Sequence, residues 1–240
     1  MGGQQGPISS VGARRRLQRL GRAPPFSSLS RDIVRDIASS SADRVFRRGT
    51  VLFNEGDGAA AAYVVDVGVV RLSASTMAGR SVVFRFAGPG DCFGLSSLLD
   101  GGPRSAEARA LTDARVVSVP FAALRMHMDR NPSVSAACAG YVASRLRRER
   151  HRLATLGTSD VARRVAAMLL QLGDSHGVPV PDGTLIDVPL RHEDLAGLVG
   201  TTRETVTRTL AILAGRGFLR RVGERYLVLG SAGVAPEPGA

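Results

Sequence analysis

The order of hydrophobic and polar residues divides the chain into a β-rich first half and a helical second half. From about Arg47 to Val119, short runs rich in β-branched and aromatic residues alternate with turn sequences; the runs include TVLF, AYVVDVG, VVRLSAS and SVVFRFA, and the turns include NEGDG, GPGD and DGGP. Apolar runs with a two-residue period, separated by glycine-rich turns at roughly ten-residue intervals, are typical of an antiparallel sandwich or jelly roll. We therefore predict a β jelly roll in this part of the chain.

A long helix is predicted to follow the strands. Asn131 and Pro132 form a favourable start, since Asn caps helices well and Pro is tolerated at the first helical position, and the pattern continues to about Leu156. Apolar or small residues recur along one face, at Cys138, Val142, Leu146, Leu153 and Leu156. This spacing favours a narrow seam against a second helix, and so dimerisation, because the opposite face carries the charged sequence RRERHR. A single amphipathic helix packed on its own domain would give the same spacing.

The next apolar pattern predicts a second amphipathic helix. Its apolar residues have helical spacing from Val161 to Leu172, and Gly173 is placed to end it. A short strand is expected over residues 185–188.

The stretch over residues 195–229 has the pattern of a winged helix-turn-helix. In the sequence LAGLVG, Ala196 allows two helices to approach closely and Gly200 permits the tight turn between them. Thr201 or Thr202 is placed to cap a second helix. The apolar face of that helix consists of Val206, Leu210 and Leu213. The sequence FLRRVGERYLVL then predicts a two-stranded hairpin that turns at Gly-Glu, which is the wing.

Polar residues of the second helix are candidate DNA-binding residues; they are Thr202, Arg203, Glu204, Thr207 and Arg208. The charged ones lie in the N-terminal half of the helix, which is the half that enters the major groove in helix-turn-helix proteins. An arginine can donate two hydrogen bonds to guanine O6 and N7, and a glutamate can accept one from cytosine N4. The alternative is an exposed helix face on which Glu204 and Arg208 form a weak i, i+4 ion pair. Because the residues lie in a helix-turn-helix with a wing, we expect base reading.

The charge of the chain favours an acidic partner. Its 240 residues include 32 basic residues, all of them Arg, and 21 acidic ones, so the net charge is +11. Such a charge is typical of proteins that bind nucleic acid or an anionic membrane. Residues 1–24 have five Arg and no acid, and we predict a disordered Arg-rich arm there. The arm is interpreted as a solvated tail, with contact to the DNA backbone as the alternative, and residues 231–240 are predicted to be a flexible tail.

Residue counts exclude several other kinds of site. Two cysteines, Cys92 and Cys138, are too few for a disulfide framework, a four-cysteine iron–sulfur cluster or a zinc ribbon, and Cys92 is expected in the core. The four histidines are scattered, which predicts no haem or zinc site; they are His127, His151, His176 and His192. The sequence GLSSL lacks the G-x-S-x-G pattern of a nucleophile elbow, so no catalytic residue is predicted. No apolar run approaches the roughly 18 residues of a membrane span and the start lacks the apolar core of a signal peptide, so we expect a cytoplasmic protein without a membrane partner.

Over about residues 25–229 the chain resembles the Crp–Fnr (catabolite activator protein) family of bacterial transcription regulators. The resemblance lies in the sequences FRRGTVLFNEGD, GVVRL, FAGPGDCFG, LLDGGPRSA and DLAGLVGTTRETVTRTL. It implies an α+β fold with a cyclic-nucleotide-binding-type β jelly roll over 25–130, a dimerisation helix over 131–160 and a winged helix-turn-helix over 161–230. It also implies a homodimer that regulates transcription at a pseudo-palindromic site in double-stranded DNA, with RNA polymerase as a further partner.

The resemblance also assigns individual residues in the helix-turn-helix. The sequence GTTRETVTR carries the family's base-reading Arg, Glu and Arg, which correspond to Arg203, Glu204 and Arg208. Arg191 stands where the family usually has a helix-capping Thr, so we expect another group to cap the first helix.

The resemblance is weaker at the effector pocket. Members that bind cyclic AMP carry F-G-E-x followed by R-[ST]-A, in which backbone N–H groups and the Arg receive the phosphate and the Glu accepts from the ribose hydroxyl. The candidate pocket residues of this chain are Gly94, Leu95, Arg104, Ser105, Glu149 and Arg150. Leu95 replaces the Glu, while Glu149 and Arg150 replace the hydroxyl residues that meet adenine.

These departures leave three possibilities for the effector: cyclic AMP, another anionic small molecule, or no obligatory ligand. No cofactor is assigned with certainty. The alternative function is a cyclic-nucleotide-binding regulatory module that acts through protein partners, as such domains do on kinases and channels. The charged residues of the second helix favour the DNA-binding regulator.

Overall fold

The computed structural model describes residues 10–75, 81–156 and 160–229. The predicted flexible tail and the first nine residues of the predicted arm lie outside these ranges. The chain divides into two compact units. The first comprises Met1–Val70 and Ala87–Leu146, and the second comprises Arg71–Phe86 and Arg147–Ala240.

Antiparallel strands build the first unit. One sheet has the strand order β1-β8-β3-β6, formed by β1 (Ala42–Phe46), β3 (Ala61–Val67), β6 (Cys92–Phe93) and β8 (Ala114–Pro120). A second pairing joins β2 (Val51–Phe53) to β7 (Glu107–Ala110). On β8 the side chains of Val117 and Val119 are fully buried in the core of this unit, and the neighbouring Val116 is fully buried as well.

Helices cover the core of this unit. They are α2 (Arg31–Ser40), α3 (Ser96–Asp100), α4 (Phe121–Arg130) and α5 (Pro132–Leu156). Ile37 of α2 and Leu124 of α4 are completely buried in one apolar cluster with Val117 and Cys92, so the expectation that Cys92 lies in the core is confirmed. Fully burying side chains of this size contributes roughly 1.5 to 3 kcal/mol each.

The long helix α5 begins at Pro132 and ends at Leu156, as predicted. The assignment of Cys138 to a seam against a second helix is wrong, because Cys138 is fully buried in the core of its own unit. Val142 packs against the same core, whereas Leu146 is 61% exposed. The first part of α5 is therefore an amphipathic helix on its own domain, and exposed apolar surface begins one turn later.

The predicted disorder of the arm is wrong for residues 10–24. Ser10–Leu20 form helix α1, and a turn leads from it into a short 3-10 helix at Phe26–Ser28. Leu20, Ala23 and Phe26 are completely buried. These few apolar side chains anchor the segment to the core.

Ion pairs hold two arginines of α1 in place. The Nε of Arg16 donates to the carbonyl oxygen of Ala38 over 3.0 Å, and its Nη1 contacts a carboxylate oxygen of Asp43 at 3.1 Å. Arg19 contacts Asp43 at 2.7 Å and Asp66 at 2.8 Å. Positive charge that looked unpaired in the local sequence is therefore neutralised by carboxylates distant in the chain.

The second unit contains the helix-turn-helix and its wing. Its elements are β4 (Val70–Ser75), β5 (Ser81–Ala87), α6 (Val161–His176), β9 (Gly177–Val180), β10 (Gly183–Ile186), α7 (His192–Val199), α8 (Arg203–Gly215), β11 (Leu219–Val222) and β12 (Arg225–Leu229). The strand order in the C-terminal sheet is β11-β12-β10-β9, and the wing hairpin turns at Gly223 as predicted. The mixed fold of a β-sheet domain followed by a helix-turn-helix is confirmed.

One predicted helix end is wrong. Helix α6 continues past Gly173 to His176 and stops at Gly177. A Cβ atom at Gly177 would lie 2.1 Å from the carbonyl oxygen of Gly173 and 2.3 Å from a methyl carbon of Thr184. The close approach of β10 therefore requires glycine at position 177, and Gly173 lies inside the helix.

Candidate nucleic-acid interface and effector site

The turn between α7 and α8 fixes the start of the second helix. Gly200 ends α7 with a φ of 66°, a left-handed conformation that glycine adopts at little cost. Thr202 is the N-cap of α8, and its hydroxyl accepts a hydrogen bond from the backbone N–H of Thr205 at 3.2 Å. Of the two candidate caps, Thr202 is therefore the one used.

The predicted DNA-binding residues share the exposed side of α8. Val206 and Leu210 point into the domain and are buried. The exposed residues are Thr202, Arg203, Glu204, Thr207 and Arg208. The helix thus presents both arginines and the glutamate to solvent near its N-terminus, which is where a major groove would receive them.

Glu204 is arranged to remain an acceptor. Its own backbone N–H and then the hydroxyl of Thr202 hydrogen-bond to its carboxylate, and these contacts lower the pKa of Glu204. The charges of Arg203 and Arg208 lower that pKa further. An ionised carboxylate accepts hydrogen bonds only, which suits the amino group of cytosine.

His192 is a residue of this surface that sequence reasoning missed. It is the first residue of α7, and its Nδ1 lies 2.7 Å from the Thr207 hydroxyl oxygen on α8. Its Nε2 lies 3.0 Å from the hydroxyl oxygen of Tyr226 on β12. One imidazole thus joins both helices to the wing. The sequence pattern gives no signal for this, because the partners lie 15 and 34 positions further along the chain.

The wing carries three arginines that lie outside the predicted set of DNA-binding residues. Arg220 and Arg225 form ion pairs with Asp182 at 3.1 Å and Asp187 at 2.9 Å. Arg221 is exposed, and its Nε donates to the carbonyl oxygen of Gly223 at 2.9 Å. Its charge also acts on His192. Burial is the main cause that lowers the pKa of His192, and the charges of Arg221 and then Arg203 lower it further.

Asp194 caps the start of α7, in line with the expectation that a group other than Arg191 would do so. One carboxylate oxygen accepts from the backbone N–H of Arg191 at 3.3 Å, and the other lies 3.1 Å from Nη1 of Arg71 on β4. On the same helix, a Cβ atom at Gly197 would lie 2.8 Å from the backbone nitrogen of Val83 on β5. The strands β4 and β5 therefore contact α7 directly.

The predicted effector pocket has a buried cation. Arg104 is 4% exposed, and its Nη1 and Nη2 donate to the carbonyl oxygens of Gly94 at 3.0 Å and Ala61 at 2.6 Å. Gly94 has a φ of 76°, and a Cβ atom there would lie 2.6 Å from Nη1 of Arg104. Glycine is therefore required at this position by its backbone conformation, and a larger residue would also have to displace the end of the Arg104 side chain.

Aromatic rings form the floor beneath Arg104. Its guanidinium carbon lies 4.2 Å from the ring centroid of Phe53 and 5.6 Å from that of Tyr63. Phe93 continues the stack, with its ring centroid 5.4 Å from that of Tyr63. Burial lowers the pKa of Arg104, and Tyr63 partly opposes this. Carbonyl oxygens and ring faces attract a cation but carry no net charge, and among the described residues the Arg104 Nε has no hydrogen-bond partner.

The remaining candidate pocket residues differ in environment. Leu95 is 2% exposed and belongs to the apolar core, so its position offers no hydrogen-bond acceptor. Ser105 is exposed. Glu149 is half-buried and Arg150 exposed on the part of α5 that belongs to the second unit. The structure thus places Gly94 in contact with Arg104, and Leu95 packs in the apolar core.

Within the described ranges, no group of three or more His, Cys, Asp or Glu side chains is arranged to hold a metal ion. None of the helices in these ranges is both long and apolar enough to cross a membrane.

Two consecutive segments of the chain each match a protein family. Residues 43–131 match a family described as cyclic nucleotide-binding domain. Residues 163–232 match one described as Crp-like helix-turn-helix domain.

Individual proteins match over nearly the whole chain. A protein of Mycobacterium tuberculosis named CRP-like cAMP-activated global transcriptional regulator is 34% identical over 90% of this chain and 96% of its own length. A protein of Thermus thermophilus named cyclic AMP receptor protein is 34% identical over 82% of this chain and 88% of its own length. Among solved structures, FixK2 from Bradyrhizobium japonicum has a TM-score of 0.71 at 28% identity and covers 80% of this chain and 93% of its own.

Proposed function

Because this chain belongs to the Crp–Fnr family of transcription regulators, we propose that it binds double-stranded DNA as a sequence-specific homodimer in the cytoplasm. Its relatives are transcription regulators rather than enzymes. The observation that carries the proposal is the joint exposure of Arg203, Glu204 and Arg208 on a helix whose start is capped by Thr202.

In the proposed complex the N-terminal half of α8 enters the major groove. Arg203 and Arg208 donate to guanine O6 and N7, and Glu204 accepts from cytosine N4. Arg221 on the wing is exposed and supplies a positive charge for a phosphate of the backbone. The half-site therefore contains a G-rich core, and the adjoining wing fixes how the helix is aligned on it.

The homodimer is proposed to form through α5. Leu146 is 61% exposed on this helix, one turn beyond the residues that pack against the core. The sequence places Leu153 and Leu156 on the same predicted seam. A two-fold dimer binds a pseudo-palindrome with half-site centres about 34 Å apart, one turn of DNA. RNA polymerase is the expected protein partner of such a regulator.

The candidate effector pocket suits the phosphate of a cyclic nucleotide better than its ribose. Arg104 is a buried cation next to the positive-φ Gly94, and such a site suits a phosphate. At the position of the ribose acceptor stands Leu95, a buried core residue that cannot accept a hydrogen bond. We therefore propose that DNA binding does not require cyclic AMP and that any ligand is an anion held by Arg104.

Selection of bound sequences from a random DNA pool tests the function. The full chain is expected to enrich a pseudo-palindrome, and Arg203→Ala is expected to relax the preference at one guanine in each half. Selection with and without cyclic AMP should return the same site. Failure to enrich any sequence would contradict the proposal and favour a regulatory module that acts through protein partners.

A further inference from the structure

The hydrogen bonds around His192 define which of its ring nitrogens carries a proton. The hydroxyl of Thr207 donates its only hydrogen to the carbonyl oxygen of Arg203 at 2.9 Å. When that bond is formed, the Thr207 oxygen accepts in the 2.7 Å contact with His192, and this arrangement places the proton on Nδ1. In a neutral ring Nε2 is then an acceptor, and the hydroxyl of Tyr226 donates to it across 3.0 Å.

These bonds form a directed chain from the wing to the recognition helix. It runs from Tyr226 on β12 through His192 on α7 to Thr207 on α8, and it ends at the backbone of Arg203. Arg203 is the first residue of α8 and the first proposed base-reading residue. The chain thus ends on the backbone of the first turn of α8, which carries the Arg203 side chain.

The surroundings of His192 oppose a positive charge on its ring. Arg203 faces it from α8 and Arg221 from β11, and both lower its pKa in addition to the effect of burial. Tyr226 faces it from β12 through a side chain that is 2% exposed. On its own helix, Glu193 is engaged by Arg191 at 3.3 Å. The neutral form is therefore the one that this environment favours.

We propose that neutral His192 is a positioning residue for DNA recognition, which holds α8 and the wing in register and so directs Arg203 toward its base. The inference rests on the proposed DNA-binding function. His192 touches no base in this scheme and acts through Thr207 and the first turn of α8. It makes the specificity of the protein dependent on pH.

Protonation would change the two kinds of DNA binding in opposite directions. With both ring nitrogens as donors, the bond to Tyr226 reverses: Nε2 donates to the Tyr226 oxygen, and the hydroxyl hydrogen of this buried residue must find another acceptor. Specific binding should weaken as a result. At the same time a new positive charge beside Arg203 and Arg221 should strengthen binding to any DNA, because phosphate attraction is independent of sequence.

The experiment compares a selected site with a random duplex across pH. The full chain is titrated on both, at constant ionic strength, between about pH 8 and about pH 4.5, a range that extends well below the usual histidine pKa of about 6.5 because the pKa of His192 is lowered. The ratio of the two affinities is expected to fall about tenfold toward acid pH, the effect of losing one well-directed Arg–guanine contact.

Two variants separate positioning from a purely structural role. His192→Asn keeps an N–H donor near the Nδ1 position, but it does not reach Tyr226 and cannot titrate, so its ratio should lie near the acid value of the wild type at every pH. His192→Gln places its amide near the Nε2 position and loses the Thr207 bond, so its ratio should be low at every pH. Circular dichroism melts establish that both variants are folded.

Separate outcomes would overturn the inference and the function beneath it. A wild-type ratio that is constant across pH, or one that falls equally in His192→Asn, overturns the role of His192 and leaves the proposed function intact. Absence of any sequence preference at about pH 8 would contradict the proposed function, and the inference with it.

Discussion

Arg71 and Asp194 form an ion pair at 3.1 Å although they lie 123 positions apart in the chain. Asp194 is 1% exposed, and its carboxylate also accepts from the backbone N–H at the start of α7. A carboxylate removed from water is stable only when it is paired and hydrogen-bonded. The pair therefore fixes strand β4 to the first helix of the helix-turn-helix.

Arg71→Ala should destabilise the protein substantially. The substitution leaves the carboxylate of Asp194 buried without its cation, which should cost about 2 to 4 kcal/mol of unfolding free energy. Urea denaturation measures this. Arg220→Ala is the matched control, because its pair with Asp182 is 60% and 62% exposed and should contribute at most about 1 kcal/mol. Equal effects of the two substitutions would contradict the importance of the Arg71 contact.

Arg203→Ala should weaken binding to the selected site by about 1 to 3 kcal/mol and relax discrimination at one guanine. The control is Arg216→Ala, which removes an equal charge at the opposite end of α8. That variant should lower affinity for selected and random DNA alike, and only slightly. If Arg203→Ala also weakens both by the same factor, Arg203 contacts a phosphate and not a base.

Leu146→Arg should shift the protein from dimer toward monomer, because it would place like charges next to each other across the two-fold axis. Combining it with Leu153→Arg should strengthen the effect. Sedimentation velocity at several concentrations measures the association. Leu170→Arg is the control, since Leu170 is a similarly exposed leucine, at 47%, on α6 outside the predicted seam. A double variant that still sediments as a dimer would mean that α5 is not the interface.

Cyclic AMP should bind weakly and have little effect on DNA affinity. Replacement of a buried acceptor by Leu95 removes a hydrogen bond to the ribose, typically worth about 1 to 3 kcal/mol. Titration calorimetry should therefore show no binding tighter than the range of tens of micromolar. Affinity for the selected site should change less than about fivefold when the nucleotide is added. Sub-micromolar binding coupled to a large gain in DNA affinity would contradict this expectation.

The helix-turn-helix could be predicted because its signals are local. The cap at Thr202 acts on a residue three positions away, and the wing turn at Gly223 depends on the conformation of that glycine itself. The exposed face of α8 follows from helical periodicity once the buried positions are known. Such features need no knowledge of distant parts of the chain.

The errors and omissions concern contacts between distant segments. Arg16 and Arg19 looked like a solvated basic arm, because their acidic partners Asp43 and Asp66 lie well beyond any local window. Residue spacing excludes His192 from a metal site but does not indicate its hydrogen-bond partners, which lie on α8 and the wing. In each case contacts between distant segments determine the partners of a polar side chain, and these contacts cannot be read from residue spacing.

The contact between Gly94 and Arg104 restricts how this part of the chain can change. A side chain at position 94 would meet the end of the anchored guanidinium at 2.6 Å and would also require a strained backbone with φ of 76°. Replacement of Arg104 would remove the first obstacle but not the second, so position 94 is restricted to glycine with or without the cation. Leu95 belongs to the core and makes no such demand on its neighbour. Of these two adjacent positions, one therefore tolerates an apolar side chain of similar volume, and the other a single residue type.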